Sequence, residues 1–496
     1  MRKTSLRLRT SPLNNLCDSV SPRLCVKTFS VSLCICVEKQ SLKQLFDLSM
    51  NLKLIFEYFA ILLICLTAKT NPYKRNTMKK VKWLIIVAVV AILCWVTFRR
   101  YLIVCDLPIQ KPASSVAKAK DMKPLTEDEQ SALRWLDHIM GSLPPEEEKE
   151  WWNIGGRQFG LFSTRYNIAF AGYSAAALGI RGNAEQQAVV ARILDNAIKR
   201  YLKKEVWAYS QSKSYWGKKP WAPDPCYREN VMYTGHLLQL LALYEGFTYD
   251  TKYWTQGFDF VWDETKTIHY DVQKLINVTV EQMHAADSGG VTCEPGLLFF
   301  PCNNHPHYAM KLFAALGHGD WTAEARRWEK WALEHYCNPL MGGGVLNLVY
   351  HTKTKLFYPR GYAGLDAWSL LWYEPWAEDR GTALALWGKA KELLDWQKFV
   401  EPSDTFAGDN NCMNPQQAPD TVLSVFLAAA SRACDDTATA EGLERPLDAK
   451  YLRRENGFYW LEVGREWRIG ATANRIISLA EENGSRFRDW TPAANP

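Results

Sequence analysis

The sequence lacks the features that mark several broad classes of protein. Its 496 residues include only 13 cysteines, with 47% hydrophobic and 23% charged residues. This composition excludes fibrous, disulfide-dense and wholly disordered chains. The sequence also has no heptad register and no 34-residue repeat, so neither a coiled coil nor a helical solenoid is expected.

Acidic residues are scarce in the N-terminal part of the chain. Residues 1–120 contain 20 Lys and Arg against 5 Asp and Glu, a balance of +15, which leaves 39 against 48, or −9, for residues 121–496. A basic segment interleaved with apolar runs suits a membrane surface, and an acidic body gives no electrostatic basis for binding nucleic acid. We therefore expect no nucleic-acid partner.

One apolar run has the properties of a membrane span. Trp83–Phe98 carries no charge and lies between basic residues on both sides, whereas the shorter run Leu54–Ala68 contains Glu57. A bilayer core of about 30 Å requires a long uncharged helix, which only the first run can provide. A buried core helix is the alternative.

The span divides the chain. We predict a basic and dispensable extension at 1–77, a transmembrane anchor at 78–104, a linker at 105–122 and a folded domain at 123–490. The excess of lysine and arginine before the span places the folded domain in the lumen of the endoplasmic reticulum or another endomembrane. Two glycosylation sequons, at Asn277 and Asn483, are compatible with that side of the membrane.

Helix signals dominate the folded domain. Thr126 and Glu129 have the spacing of a capping box, which predicts a helix after them. Apolar residues recur at helical spacing in six further segments: Tyr166–Leu178, Ala184–Leu202, Val231–Leu243, Ala325–His335, Ala383–Leu394 and Thr421–Ala433. Val345–Tyr350 and Lys355–Tyr358 alternate like one small β-hairpin. We predict a mainly α domain of about ten to twelve helices, paired in a closed ring.

Aromatic residues are abundant in this domain, which holds most of the 21 tryptophans. Most large aromatic side chains fill protein cores. As a group they also suit an aromatic-lined pocket, which could bind a sugar by stacking or an isoprenoid chain and its carbocation by cation–π attraction.

Two segments could carry chemistry. The first is ENVMYTGH, in which Glu229, Tyr233 and His236 fall on one face of a helix. The second contains Cys293 and Cys302 nine residues apart. The two thiols could form a disulfide or act as acid and base. A zinc site is disfavoured by the spacing and by the lack of a second pair.

A catalytic function for the thiols has a physical basis. Glu294 follows the first thiol, and Phe299 and Phe300 are apolar neighbours of the second. A desolvated thiol near a carboxylate stays protonated and can deliver a proton.

Taken in order, these motifs resemble the linalool dehydratase/isomerase family. The similarity rests on ENxMYxGH, then CEP, six residues and CN, with Gly319-Asp320-Trp321 and the earlier Arg165–Phe170. It extends through most of residues 125–480. The resemblance implies an (α,α)6 barrel, which agrees with the helix count.

The resemblance also implies cofactor-free acid–base chemistry on an isoprenoid alcohol. The hydroxyl is protonated, water leaves through an allylic cation or a thiol-bound equivalent, and a C–H proton is then removed. The implied catalytic residues are Cys293, Cys302, His236, Tyr166 and Asp137, the last reaching into a neighbouring subunit of a cyclic homo-oligomer. The substrate contacts are expected at Glu229, Tyr233, Glu294, Phe299 and Phe300. No metal or cofactor is expected.

The sequence departs from the family in two places. Leu143 stands where a tyrosine is expected, and a later pocket tyrosine has no counterpart around Tyr362–Trp368. These departures concern the substrate and not the thiol pair. A metal-dependent terpene synthase is disfavoured because Asp435-Asp436 is not part of a complete DDxxD motif.

Two other functions remain open from the residues. A carbohydrate-active barrel would use paired carboxylates such as Asp404 with Asp409 or Glu229 with Glu294. A membrane-tethered carrier would bind a hydrophobic ligand without turnover.

Overall fold

The computed structural model describes residues 123–141, 164–208, 223–393 apart from 338, 340 and 343, and 420–492, with scattered positions between 83 and 95. The predicted extension, the linker and most of the predicted anchor lie outside these residues. No helix among the described residues is both long and apolar enough to cross a bilayer. The chain divides into two units, 1–91 and 92–496, and every element named below belongs to the second.

The described part of this unit is mainly helical. Its helices are α1 Glu127–Met140, α2 Thr164–Gly179, α3 Ala184–Tyr201, α4 Lys204–Trp207, α5 Val231–Thr248, α6 Lys252–Thr255, α7 Val272–Ala285, α8 Phe300–Ala315, α9 Thr322–Tyr336, α10 Ala363–Tyr373, α11 Arg380–Leu393, α12 Asp420–Ala433, α13 Thr437–Tyr451 and α14 Arg465–Glu482. The capping box at Thr126 is formed with both of its hydrogen bonds. The mainly α prediction is therefore confirmed.

The long helices of the described residues form two concentric rings. In the inner ring α2, α5, α8, α10, α12 and α14 each contact the next, and α14 contacts α2 to close the circle. The outer helices α3, α7, α9, α11, α13 and α1 pack against them in the same order. Outer and inner helices alternate along the chain, which is the arrangement of an (α,α)6 barrel.

The apolar patterns explain which helices lie inside. Inner helix α5 is buried from Val231 to Gly246, on all of its faces. Outer helix α3 buries only one stripe, which includes Val190, Leu194 and Ala197. A helix that is apolar all round is stable only when it is surrounded by protein, whereas an amphipathic helix can cover a surface.

Short strands lie between the helices: β1 Phe258–Asp263, β2 Lys266–Tyr270, β3 Leu297–Leu298, β4 Met341–Gly342, β5 Val349–His351, β6 Leu356–Tyr358, β7 Arg360–Gly361, β8 Leu452–Glu455 and β9 Phe458–Leu461. The predicted hairpin is present as β5 and β6, and β3 adds a third strand. The hairpins β1–β2 and β8–β9 were not predicted. Because β3 immediately precedes α8, the three-stranded sheet lies beside the start of an inner helix.

Candidate functional site

The two sequence motifs are joined at the start of α5. The backbone N–H of Asn230 donates to the carbonyl of Cys293 at 3.0 Å, and that of Val231 donates to Thr292 at 3.2 Å. Helix N-termini leave N–H groups without intrahelical acceptors. The Cys293 segment supplies acceptors for two of them, so the helix that carries His236 also positions a thiol.

This junction requires unusual backbone geometry. Glu229 and Asn230 both have positive φ angles, 54° and 62°, a region that residues with side chains rarely occupy. Asn230 is held there because its side-chain Nδ2 donates to the carbonyl of Pro225 at 2.9 Å. Such strain persists only where the surrounding structure enforces it and is common at functional sites.

A tight turn follows the first thiol. The N–H of Leu297 donates to the carbonyl of Glu294 at 2.9 Å across Pro295 and Gly296, and Gly296 has a φ of +77°. Proline followed by glycine suits a type II turn, because glycine adopts positive φ without strain. The turn brings the chain into β3 and then α8, so that Cys302 returns to Cys293.

The two thiols are neighbours in the interior. Both side chains are buried, neither forms a disulfide, and the two groups interact electrostatically. Burial raises the pKa of Cys293 well above its ordinary value, and the interaction with Cys302 and the charge of Glu294 raise it further. Cys293 is therefore a protonated thiol at neutral pH, able to act as an acid.

Tyr166 and Arg165, at the start of α2, face the thiols. Burial raises the pKa of Tyr166 well above its ordinary value, against the opposing charge of Arg165, and Cys302 and Cys293 add to the increase. The Arg165 guanidinium carbon lies 4.5 Å from the centre of the Tyr166 ring. Tyr166 is thus a neutral phenol beside both thiols.

Two carboxyl groups lie on the same side of the cluster. Burial raises the pKa of Glu294, opposed by Arg165 and reinforced by Glu229. Burial also raises the pKa of Glu229, opposed by a hydrogen bond from the backbone of Gly296. The charge of Glu229 therefore opposes ionisation of Glu294, whereas the charge of Arg165 favours it.

Two imidazoles lie next to each other in the interior, with their planes tilted by 34°. The rings of His236 on α5 and His305 on α8 have centroids 3.7 Å apart. Burial lowers the pKa of His236 well below its ordinary value, and His305 and Arg165 lower it further. Burial lowers the pKa of His305 in the same way. Both rings are neutral, and a neutral imidazole can accept a proton.

Aromatic side chains surround the imidazoles and Tyr166. The Trp368 ring lies 5.2 Å from Tyr166, 5.8 Å from Phe170 and 5.7 Å from Phe426, measured between centroids. Tyr166 itself lies 5.2 Å from His236. These residues come from different inner helices, so the cluster lies inside the ring.

Three nitrogens in this cluster are available to a bound molecule. Among the described residues, His236 Nε2, His305 Nε2 and Trp368 Nε1 are buried atoms without a hydrogen-bond partner. Buried polar atoms are normally satisfied, so their grouping inside the ring makes this cluster the candidate binding site.

Not every predicted residue joins this cluster. Tyr233 stacks on Tyr201 of outer helix α3 at 4.6 Å and donates its hydroxyl hydrogen to the Tyr201 carbonyl at 2.8 Å. The structure therefore places Tyr233 against α3 and does not bring it together with His236. Phe300 contacts Trp328 and Tyr336 of outer helix α9 and Tyr373 of inner helix α10, so it packs in the core between these helices.

The remaining predicted residues lie at the edge of the cluster or far from it. Phe299 is partly buried and caps the start of α8. Asp137 lies on outer helix α1, where its two oxygens accept from Arg192 at 3.0 and 2.8 Å. In a single chain Asp137 thus forms a surface ion pair. Asp404 and Asp409 lie outside the described residues.

The sequence analysis missed His305 and Trp368. His305 follows Cys302 by three residues, which is one helical turn, but α8 itself was not predicted. Trp368 occupies the region in which no counterpart of the family tyrosine was recognised. Spacing from the second thiol would have identified His305.

Two solved structures are similar to this chain at low sequence identity. One is an unsaturated glucuronyl hydrolase specific for heparin, with a TM-score of 0.40 and 11% identity over 74% of this chain and 98% of that chain. The other is the unsaturated glucuronyl hydrolase of Bacillus sp. GL1, with a TM-score of 0.43 and 11% identity over 74% of this chain and 100% of that chain.

A family comparison covers more than half of the sequence. The sequence model of the family described as linalool dehydratase/isomerase matches residues 165–467. This range includes Tyr166, His236, Cys293 and Cys302, and it excludes Asp137. The chain belongs to the linalool dehydratase/isomerase family.

Proposed function

We propose that this protein is a cofactor-free acid–base lyase or isomerase acting on a terpenoid or meroterpenoid alcohol. The observation that carries the proposal is the buried pair of free thiols, Cys293 and Cys302, which interact with Tyr166, whose ring lies 5.2 Å from the neutral imidazole of His236. Family membership gives independent support for dehydratase or isomerase chemistry.

Cys293 is suited to be the acid. Its pKa is raised by burial, so the thiol holds a proton that it can deliver to a substrate hydroxyl. The C–O bond then breaks, both electrons leave with the oxygen, and water departs. The products of this step are an allylic cation and a thiolate, or the thioether that forms when the thiolate bonds to the cationic carbon.

His236 is suited to be the base. Its Nδ1 is bound to the Tyr173 hydroxyl at 2.8 Å, and its Nε2 has no partner among the described residues. The imidazole accepts a proton from a carbon next to the cation, and the C–H electrons form the new double bond. Transfer of that proton back to the thiolate restores both groups, so alcohol gives alkene and water without a cofactor.

The aromatic wall suits a cationic intermediate. The rings of Phe170, Tyr166 and Phe426 each pack against the ring of Trp368, by a face or an edge. Aromatic faces attract cations, and an apolar wall keeps water from capturing the cation early. Isomerisation or cyclisation would follow when the cation reacts at another carbon before it loses a proton.

The experiment is substitution of each thiol in the full-length protein. Cys293→Ala and Cys302→Ala should each abolish turnover of prenyl alcohols or prenylated aromatics, followed by gas chromatography and mass spectrometry. Helical circular dichroism should stay unchanged. The matched control is Cys434→Ala, which removes an equally buried thiol beyond the end of α12 and should retain activity.

A carbohydrate-active function is the second candidate. It is favoured by the interaction of Glu229 with Glu294, since paired carboxylates are the machinery of glycosidases. Loss of activity toward glycosides in Glu229→Gln and Glu294→Gln, with full activity in both thiol variants, would establish it in place of the lyase. A carrier would bind prenyl alcohols without converting them.

We also propose that residues 78–104 anchor the protein in an endomembrane with the helical domain in the lumen. The described positions between 83 and 95 are helical and present Trp83, Val87 and Val90 to solvent. The protein should resist extraction by alkaline carbonate. Asn277 is exposed on α7, so lumenal exposure should give a glycan that Asn277→Gln removes, seen as a mobility shift.

A further inference from the structure

His305 is placed as a second base beside His236. It lies one helical turn after Cys302 on α8 and is fully buried. The two ring centroids are 3.7 Å apart, and both rings lie 5.8 Å from the ring of Tyr173. Each also has an aromatic neighbour of its own, Tyr166 at 5.2 Å for His236 and Trp372 at 5.4 Å for His305. The Nε2 atoms of the two imidazoles therefore occupy different positions inside the ring of helices.

Gln239 fixes the tautomer of His305. The Nδ1 atom of His305 lies 2.6 Å from the side-chain oxygen Oε1 of Gln239. An amide oxygen can only accept a hydrogen bond, so Nδ1 carries the hydrogen of the neutral ring. The lone pair is then on Nε2, which has no partner among the described residues.

His236 is held differently. Its Nδ1 faces the hydroxyl of Tyr173 at 2.8 Å, and the same hydroxyl lies 3.3 Å from the His236 carbonyl. A hydroxyl group can donate or accept, so this contact permits both tautomers of His236. His305 is therefore the ring whose Nε2 atom carries the lone pair in the neutral form and can accept a proton.

We propose that His305 is a second catalytic base, which removes a proton from a different carbon than His236 does and so determines which alkene is formed. This inference rests on the proposed function. An allylic cation carries C–H bonds on several neighbouring carbons, and loss of each proton gives a different double bond. The C–H electron pair forms that bond, the proton moves to His305 Nε2, and it returns to the thiolate. Two imidazoles this close would repel each other if both were protonated. Only one of them therefore acts as the base in each turnover.

The experiment measures product ratios. The full-length protein is incubated with racemic linalool and with geraniol as probe alcohols, and the alkenes are resolved by gas chromatography. His305→Asn should change the ratio of alkene products by about tenfold or more while retaining turnover through His236. Gln239→Leu should shift the ratio in the same direction, because it releases the tautomer. Gln239→Glu, which keeps an acceptor for Nδ1–H and makes the imidazole more basic, should not shift the ratio in the direction of Gln239→Leu.

His307, two residues after His305 on α8, provides the control variant. His307 is also buried, its ring nitrogens have no partner among the described residues, and it packs against Trp376 at 4.9 Å. His307→Asn removes a buried imidazole of the same helix that does not belong to the His236–His305 pair. It should leave the product ratio unchanged. Equal shifts in the His305 and His307 variants would indicate a general distortion of α8 and overturn the inference.

The proposed function and the second base can be disproved separately. If the wild-type protein converts none of the prenyl alcohols, the proposed function is overturned. If the wild-type protein is active and both His305→Asn and Gln239→Leu give its product ratio, the second base is overturned and the proposed function stands. If His305→Asn does not fold, the two Gln239 variants decide the inference by the same comparison.

Discussion

The side-chain amide of Asn303 is hydrogen-bonded to both backbone groups of Val291, accepting from its N–H at 2.8 Å and donating to its carbonyl at 3.0 Å. It also donates to the carbonyl of Phe299 at 2.9 Å. The residue that follows Cys302 therefore holds the segment that leads to Cys293. The asparagine of the CN motif positions one thiol against the other.

Asn303→Ala should destabilise the fold and separate the thiols. It leaves buried backbone groups without partners, at a cost of about 2–5 kcal/mol in the free energy of unfolding. Denaturant unfolding measures the loss, and the alkylation rate of Cys293 by iodoacetamide should rise. Asn474→Ala is the control, because this buried asparagine on α14 bonds only to the carbonyl of Gly470 in its own helix. Unchanged thiol reactivity in Asn303→Ala would contradict the positioning function.

Gly235→Ala should lower activity by moving α8. A Cβ atom at Gly235 would lie 2.8 Å from Cδ of Pro306 and 3.3 Å from the carbonyl oxygen of Cys302. A proline ring cannot rotate away, so the helix must shift. Overpacking of this kind costs about 1–3 kcal/mol, and a small displacement of Cys302 should reduce kcat by about 10- to 100-fold.

The control for that prediction is Gly388→Ala on outer helix α11. No atom lies within 4 Å of the added Cβ, and alanine is favoured over glycine in helices by about 0.5–1 kcal/mol. This variant should be slightly more stable, with unchanged kcat. A Gly235→Ala variant with wild-type kcat and stability would show that α5 and α8 have room to adjust.

The local chemistry of the sequence predicted about half of the helices and singled out the two thiols, but it did not show which way each side chain points. Periodicity identifies one face of an amphipathic helix. Helix α5 is buried on every side. The spacing of Tyr233 and His236 could therefore not show that the first points toward the outer helices and the second toward the interior of the barrel. That distinction depends on Tyr201, which lies on another helix.

Pro306 explains why α8 was not predicted from the sequence. Pro306 lies inside the helix and lacks the N–H that would bond to the carbonyl of Cys302, which is normally unfavourable. The sequence therefore did not indicate a helix at Cys302, and His305 was missed with it. The proline ring fits here because Gly235 has no side chain, which lets α5 pack closely against Pro306.

His236→Ala should lower turnover by roughly 100-fold or more, the usual scale for loss of a general base. It removes the Nε2 acceptor and the partner of the Tyr173 hydroxyl. Rate per folded molecule and melting temperature should be measured on one preparation. A lower melting temperature with an unchanged rate would show that His236 is only a structural residue.

Glu481→Gln should stabilise the protein at neutral and alkaline pH. Glu481 is buried near the end of α14, and burial raises the pKa of its carboxyl group well above the ordinary value, with Glu374 adding to the increase. The folded state therefore binds this proton more tightly than the unfolded state does. Stability is lost as the pH rises from the unfolded pKa, about 4.3, toward the higher folded pKa.

Glutamine cannot ionise, so it removes this loss. The free energy of unfolding of Glu481→Gln should exceed that of the wild type by at least about 1 kcal/mol at pH 8, since one pKa unit is about 1.4 kcal/mol. The difference should disappear near pH 4. Glu281→Gln, at an exposed position on α7, is the control. Equal effects of the two substitutions at pH 8 would contradict the explanation.

The ion pair between Asp137 and Arg192 on the outer helices is half-exposed, which leaves Asp137 accessible to a neighbouring subunit. The resemblance implies that this carboxylate completes the site of the next chain in a ring. Asp137→Ala and Cys293→Ala should each be inactive alone. When the two are co-expressed in equal amounts, about one quarter of the wild-type activity should return, because a site needs an intact thiol from one chain and an intact Asp137 from its neighbour. Co-expression of Cys293→Ala with His236→Ala is the control and should restore no activity, since both residues belong to one chain.

If co-expressed Asp137→Ala and Cys293→Ala recover no activity while light scattering shows a ring of normal size, Asp137 only pairs with Arg192 and serves no neighbouring site.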